Sequence, residues 1–353
     1  MRKRIFLLLF LCGMLLFSAC NGQTETDPPQ STENLVGTPT RFHSVMFEWF
    51  DTVTQVMGYA ESQEEFDVYN AIIRYELQRM HQLFDIYNEY PGLNNIRTIN
   101  QNAGIAPVAV DPLLIELIEI SIEAYHLTDG TVNVALGPVL ELWHTHRHAE
   151  IPALPAMEAL QAANAYTNIQ DIVVDRENGT VFLRYENMSL DVGTTGKGFA
   201  LDFVVRRAQE AGFQSFLINM GGDVLTADPP PGREAWNVGI EDPGGGAGVV
   251  DVAAVVNLAV LASGDYRRYF VVDGVAYSHL IDPETLMPAT HFRSVSVIHP
   301  SAVYAEILST AIFILEFEAG LALLAAHGAE GVWITADGEI LTTPGYSRFS
   351  GGF

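Results

Sequence analysis

Lysine occurs at only two positions in this chain, Lys3 and Lys197, and the second has a setting that invites chemistry. It lies in Asp191-Val-Gly-Thr-Thr-Gly-Lys-Gly198, a glycine-rich turn that runs into a helical pattern. Such a turn presents free backbone N–H groups and the positive end of a helix, which together make a ready anion site. The same residues also serve as a plain strand-to-helix turn with a solvated lysine, and the motif alone does not separate the two. It is not a Walker loop, because Gly198 stands where a Ser or Thr must reach magnesium. Glu306 and Thr310 lie four apart in an apolar helical run and so share a face, where a carboxylate and a hydroxyl suit a hard cation such as magnesium. An exposed Glu beside an ordinary helical Thr is the plainer alternative. His279, three residues before Asp282 in Tyr277-Ser-His-Leu-Ile-Asp-Pro283, offers a base in a loop, although a lone histidine is more often a structural hydrogen-bonder.

Two further loops suit a ligand. Asn219-Met-Gly-Gly-Asp223 ends in glycines that let backbone come close, and Ser263-Gly-Asp-Tyr-Arg-Arg268 sets two cations beside turn residues. In Trp143-His-Thr-His-Arg-His148 the alternating histidines would share one face of a strand and suit a transition metal. With no matching carboxylate nearby, that segment reads as a polar loop or strand end.

Charge limits what these groups can bind. Lys and Arg number 18 against 43 Asp and Glu, a formal net charge of −25. Such a surface repels phosphate backbones, which excludes a general nucleic-acid binder. A phosphate-bearing ligand needs local help from a metal cation or backbone amides. The two cysteines, Cys12 and Cys20, exclude a disulfide scaffold and a Cys-based zinc site.

The elements that must position these residues come after a leader. Arg2, Lys3 and Arg4 precede an apolar run, Ile5 to Phe17, that is shorter than the ~20 residues of a bilayer span. Ser18-Ala19-Cys20 then resembles a bacterial lipobox, with Phe17 where leucine is usual. Cleavage would remove residues 1–19 and leave Cys20 to be acylated, so the protein is expected to be exported and lipid-anchored to the outer face of the bacterial cytoplasmic membrane. Residues 20–40 read as a polar tether, and 41–353 as the folded body. In that body Phe47 to Tyr59 reads as a strand. Ser62 and Glu65 form a capping box for a helix carrying Phe66, Tyr69, Ile73, Leu77, Met80 and Phe84. Asp111 and Pro112 open a second helix, to Tyr125, and residues 156–165 a short third. A hairpin spans 171–174 and 181–185, a helix 198–211, strands 215–219, 249–261 and 269–275, and helices 302–315 and 318–327. Helices and hairpins alternate irregularly, which favours an α+β architecture.

From Phe47 to Thr310 the motifs, in their order and spacing, resemble the ApbE-type FAD:protein FMN transferases. They are Phe50-Asp-Thr52, Phe84-Asp-Ile-Tyr87, Thr128-Asp-Gly-Thr-Val-Asn133 with Gly137-Pro138 and Trp143, Asp191 to Gly198, Asn219 to Asp223, Ser263-Gly-Asp265, Ser278 to Pro283, and Glu306 to Thr310. The resemblance implies a two-lobed fold of mixed and antiparallel sheets with flanking helices. It also implies magnesium-dependent transfer of FMN from FAD to a Thr or Ser hydroxyl of an acceptor redox protein, with AMP leaving. It assigns the metal to Gly196, Glu306 and Thr310, and catalysis to His279, with Asp282 available to orient the imidazole. Flavin contacts fall on Phe50, Tyr87, Thr131, Val132, Asn133, Gly193, Phe199, Ile281 and Ser309, with Lys197 as a local anion binder. The same site with water as acceptor would be an FAD pyrophosphatase, and without turnover a lipid-anchored flavin-binding protein. Three departures stand out. Glu306 replaces the family's Asp, Phe50-Asp51 stands where Met-Gly is common, and Leu286 replaces a turn glycine, removing a φ > 0 option.

Overall fold

The computed structural model describes residues 39–244 and 248–351. The expected leader, Cys20 and the tether short of its final residues lie outside the described residues. Among those described, no helix is long and apolar enough to cross a membrane.

β1 (Thr40–Met46) and β2 (Thr54–Ala60) pair antiparallel. The strand expected from Phe47 therefore starts only at Thr54, because Phe50 and Asp51 take φ of +57° and +51° and break the extended backbone. α1 (Gln63–Phe84) opens on the expected Ser62 cap, whose Oγ accepts from the Glu65 N–H at 3.2 Å, but the capping box does not close, because Glu65 Oε2 accepts from the Glu61 N–H at 2.7 Å and not from that of Ser62. α2 (Ile96–Gln101) and β3 (Val108–Ala109) lead to α3 (Pro112–Leu127), capped by Asp111 Oδ1 on the Leu113 N–H at 2.9 Å. α4 (Gly137–Arg147) ends at the histidine-rich segment, which is helix and not loop or strand. Its Pro138 is pre-set for the first helical turn, and Trp143 anchors it inside. α5 (Met157–Asn164) and the hairpin of β4 (Ile172–Asp175) and β5 (Thr180–Leu183) follow the sequence reading.

α6 (Gly196–Glu210) leads to β6 (Phe216–Met220), β7 (Asp223–Thr226) and β8 (Trp236–Glu241). The run expected as one strand over 249–261 is two, β9 (Val249–Val255) and β10 (Ala259–Gly264), broken where Asn257 takes φ +52°. The run at 269–275 is likewise a hairpin, β11 (Tyr269–Val272) and β12 (Val275–Ser278), turned at Asp273-Gly274. β13 (Phe292–His299), α7 (Ala302–Ile314), α8 (Phe317–Ala326), β14 (Glu330–Thr335) and β15 (Ile340–Thr342) complete the chain.

An eight-stranded sheet runs β1-β2-β6-β7-β10-β13-β14-β15, and every pairing in it is antiparallel. Alternate residues serve two layers. Phe216, Ile218, Met220, Ala259, Leu261, Val295, Val297 and Trp333 join the core under α1, α6 and α7. Val224, Val260, Ile298 and Val332 join Val238, Ile240, Ala253 and Val255 of the β8–β9 ribbon on the other face. Each such Val, Leu or Ile contributes about 1.5–3 kcal/mol by leaving water.

A smaller core gathers Leu136, Val139, Trp143, Leu160, Phe270, Ile281 and Leu286. Here the expected loss of a φ > 0 option is overturned: Leu286 takes φ +62° itself. It is 4% exposed, and its carbonyl accepts from Trp143 Nε1 at 3.0 Å, so packing holds the strained backbone. Leu286→Ala should cost about 2–5 kcal/mol in urea unfolding, since it keeps the strain and leaves a cavity. Leu286→Gly should recover ~1–2 kcal/mol of that loss by relieving the left-handed backbone. A glycine variant less stable than the alanine variant would refute this account.

Candidate functional site

The glycine-rich turn, the β6–β7 turn and α7 converge on one ionic cluster. Lys197 Nζ is bonded to Asp223 Oδ2 and lies 3.4 Å from Glu306 Oε1. Glu306 Oε2 accepts from the Gly198 N–H at 2.7 Å, and Asp223 Oδ1 accepts from the Ala262 N–H at 3.3 Å. The expected solvated or anion-binding lysine is thus already engaged by two carboxylates. α7 reaches this position because Asp202 of α6 caps it, accepting from Ser301 Oγ at 2.6 Å and from the Ala302 N–H at 2.7 Å. Ser309 Oγ meets Ser263 Oγ at 3.0 Å, and Thr310 lies one turn beyond Glu306, both of them buried.

Burial pushes the Glu306 carboxyl up to about 7, with Lys197 opposing and Asp223 adding to the shift. Burial works against charge on Lys197, but Asp223 and Glu306 more than offset it, so its pKa is raised. Glu306 Oε1 is buried without a hydrogen-bond partner among the described residues. That oxygen, 3.4 Å from the Lys197 ammonium, and the Asp223 carboxylate bonded to the same ammonium are hard oxygens of the kind that suit magnesium. No three His, Cys, Asp or Glu side chains gather as a metal cluster among the described residues. A cation here would therefore rest on two carboxylates at most, with hydroxyl and carbonyl oxygens completing its shell.

His279 follows β12. Its N–H donates to the Arg268 carbonyl at 3.1 Å, and its Nδ1 lies 3.2 Å from the same oxygen. A carbonyl only accepts, so the contact places the proton on Nδ1 and leaves the Nε2 lone pair free. Burial, then Arg268 and Arg147, lowers the imidazole pKa to about 4. Asp282 does not orient this ring. Its carboxylate closes its own turn, accepting from the Glu284 N–H at 2.8 Å and from Thr285 Oγ1 at 2.8 Å.

The positions expected to meet a flavin divide into two groups. Tyr87 is 57% exposed and tilts against His144 at 5.4 Å between ring centroids, while Gly193 is exposed and Thr131 half-buried. Phe50 is half-buried and edge-on to Phe84 at 6.3 Å, and Phe84 meets Phe199 at 5.9 Å. Val132, Ile281 and Ser309 are buried, so their side chains serve the cores and α7. Asn133 is spent locally, its Oδ1 on the Ala135 N–H at 2.9 Å and its Nδ2 on the Thr167 carbonyl at 2.9 Å. The Asp191 N–H donates to the Val134 carbonyl at 2.9 Å, which ties residues 131–134 to the glycine-rich turn.

Sequence reasoning missed the roles of Asp202 and Arg147, whereas Asp223 and Arg268 lie in the two loops it singled out, as the acid ending a Gly-Gly turn and as one of two cations beside turn residues. A cavity of about 230 Å³ lies on the far face of the sheet under β8–β9, lined by Gln55, Asn219, Asn237 and Arg267, with no part of the His279 or Glu306 cluster in it.

The ApbE family profile matches residues 50–333. A curated FAD:protein FMN transferase of Treponema pallidum is 34% identical over 266 residues, 71% of this chain and 73% of that protein. One from Klebsiella pneumoniae is 25% identical over 343 residues, 96% of this chain and 95% of its own length. Among solved structures, the ApbE protein of Thermotoga maritima matches with a TM-score of 0.80 and 28% identity, over 89% of this chain and all 100% of that one. The flavin transferase ApbE of Vibrio cholerae matches with a TM-score of 0.76 over 88% of this chain and 100% of its own, at 23% identity, which is a likeness of fold alone.

Proposed function

The chain belongs to the ApbE family, and from that premise we propose that it transfers FMN from FAD to a Thr or Ser hydroxyl of an acceptor redox protein, with magnesium required and AMP leaving. The observation that carries this reading is the buried pair of carboxylates, Glu306 and Asp223, that share one ammonium, that of Lys197, in a protein of net charge −25. Glu306, Thr310 and the Gly196 carbonyl would hold the metal, with Asp223 adjoining. Bound there, magnesium supplies Lewis-acid polarisation of a phosphoryl oxygen and neutralises charge.

The chain's own groups do the rest. His279, neutral with its lone pair on Nε2, takes the proton of the acceptor hydroxyl. Tyr87 and Phe50 offer flat faces against which an isoalloxazine ring is held. Lys197 holds Asp223 and Glu306 in place, and opposes the burial that favours a protonated Glu306, until a dication shares them.

Incubating the protein with FAD, Mg2+ and a candidate acceptor domain tests the reading. Covalently fluorescent acceptor supports transfer, free FMN with AMP indicates a pyrophosphatase, and unchanged bound FAD indicates a carrier. Glu306→Gln should weaken Mn2+ binding, followed by electron paramagnetic resonance, by at least ~10-fold, a loss seen even for outer-sphere partners. Because the Glu306 carboxyl must lose its proton to bind a cation, wild-type Mn2+ affinity should rise as pH climbs through about 7. Unchanged affinity in the variant would remove Glu306 from the metal site.

We also place the enzyme outside the cell membrane, held by acylated Cys20, since the leader and lipobox support export. Cys20→Ser should move the protein from the membrane fraction to the soluble one; retention on the membrane would refute the anchor.

A further inference from the structure

The loop before β2 carries Phe50 and the loop after α1 carries Tyr87, the two aromatic faces offered to the flavin ring. The Tyr87 ring is exposed, yet both polar groups of its backbone are taken. Its N–H donates to Asp85 Oδ1 at 2.6 Å, and its carbonyl accepts from Arg97 Nη1 at 2.8 Å. Asp85 is buried at the end of α1. Its Oδ1 also accepts from the Asn88 N–H at 3.0 Å, and its Oδ2 from Asn88 Nδ2 at 2.9 Å and from the Tyr90 hydroxyl at 2.8 Å. Four donors on one carboxylate fix the course of this loop while leaving the Tyr87 ring in solvent.

Phe50 is held from the same end of α1. Its N–H donates to His81 Nδ1 at 3.3 Å, and the two rings lie edge-on with centroids 5.7 Å apart. A donor facing Nδ1 leaves the ring proton on Nε2, so the contact requires a neutral imidazole. Phe50 and Asp51 need such a restraint, because φ values of +57° and +51° crowd any residue that has a Cβ. His81 and Asp85 lie four apart where α1 ends, and so face the same way. Tyr90 joins them: its hydroxyl donates to Asp85, and its ring sits edge-on to His81 at 6.5 Å between centroids.

We propose that His81 and Asp85, linked through Tyr90, are positioning residues that set Phe50 and Tyr87 in advance for an isoalloxazine ring. This rests on the flavin reading given above. They act through the backbone of the two aromatics and not on the reacting atoms. A ring that stacks on a face already in place avoids the ordering cost of a free loop.

The test uses the full chain, with calorimetric titration of riboflavin and FAD, and with hydrogen–deuterium exchange of residues 47–53 and 85–90 in the absence of ligand. Asp85→Ala should speed exchange over 85–90 and weaken both flavins by about 10-fold, the scale of a lost stacking contact. Asp85→Asn keeps an oxygen for the Tyr87 N–H and should recover part of that loss. His81→Ala should speed exchange over 47–53 and weaken both flavins likewise, and His81→Asn, which puts an amide oxygen near the place of Nδ1, should restore part. Mn2+ affinity should stay at the wild-type value throughout, whereas a general loss of structure would lower it with the flavins. Tyr90→Phe removes only the link and is the milder variant should Asp85→Ala fail to fold; it should move exchange and riboflavin affinity the same way. Flavin affinities equal in wild type and every variant overturn the positioning role and leave the flavin reading standing. Exchange unchanged in every variant overturns the restraint itself. Faster exchange in the variants, with neither flavin bound by wild type, upholds the restraint and sinks the flavin reading.

Discussion

His279→Ala is expected to slow FMN transfer by about 100- to 10,000-fold, the usual contribution of a placed general base, while FAD still binds. The Arg268 carbonyl holds the Nδ1 proton, so Nε2 is the only ring atom able to take another. An ordinary imidazole is half-protonated near 6.5. Here burial, Arg268 and Arg147 bring that point down to about 4, so the base form persists through neutral pH. With Mg2+ saturating, so that Glu306 titration does not limit metal binding, the transfer rate at dilute FAD should therefore stay level across neutrality and fall only as pH drops towards about 4. Single-turnover measurement of covalent flavin fluorescence on the acceptor, across that range, reads it. A variant that transfers at full rate would take His279 out of the chemistry without touching the family membership.

The second large effect is structural and falls on a single methyl group. A Cβ built on Gly198 would lie 2.5 Å from the Ala302 carbonyl oxygen and 2.6 Å from Val303 Cα, both backbone atoms that cannot rotate away. α6 and α7 touch through this point, so Gly198→Ala must force them apart. Overpacking of this kind costs about 1–3 kcal/mol or more. The shift also withdraws the Gly198 N–H from buried Glu306, adding a penalty of about 1–3 kcal/mol. A combined loss near 3 kcal/mol corresponds to a Tm lower by roughly 6–12 °C, with weakened Mn2+ binding. Gly196→Ala is the control two residues earlier. Its Cβ would meet only Phe84 Cδ2 at 3.5 Å and Val192 Cγ2 at 3.7 Å. That is ordinary contact, and alanine gains up to ~1 kcal/mol of helix propensity over glycine. If the two variants melt alike, the close helix crossing is not what Gly198 secures.

The elements that local rules govern were legible. Ser62 and Asp111 cap their helices because a side chain reaches only to backbone two or three residues on. β13 was not legible, because helices cover one face and the β8–β9 ribbon the other, which erases the alternation that marks a half-buried strand. The break after β1 escaped for a different reason. Left-handed φ at Phe50 and Asp51 has no signature when no glycine stands there.

The sequence by itself determined the one-face pairing of Glu306 with Thr310, the solitary Lys197 in its glycine-rich turn, and the order of motifs that marks the family. Only the tertiary structure decided what those groups meet. Lys197 is claimed by acids at 223 and 306, and Asp282 turns away from His279. Helical and turn spacing settle neighbours within about four residues. Charges that share a buried site are brought together by the packing of the hydrophobic layers, and that packing depends on every strand and helix at once.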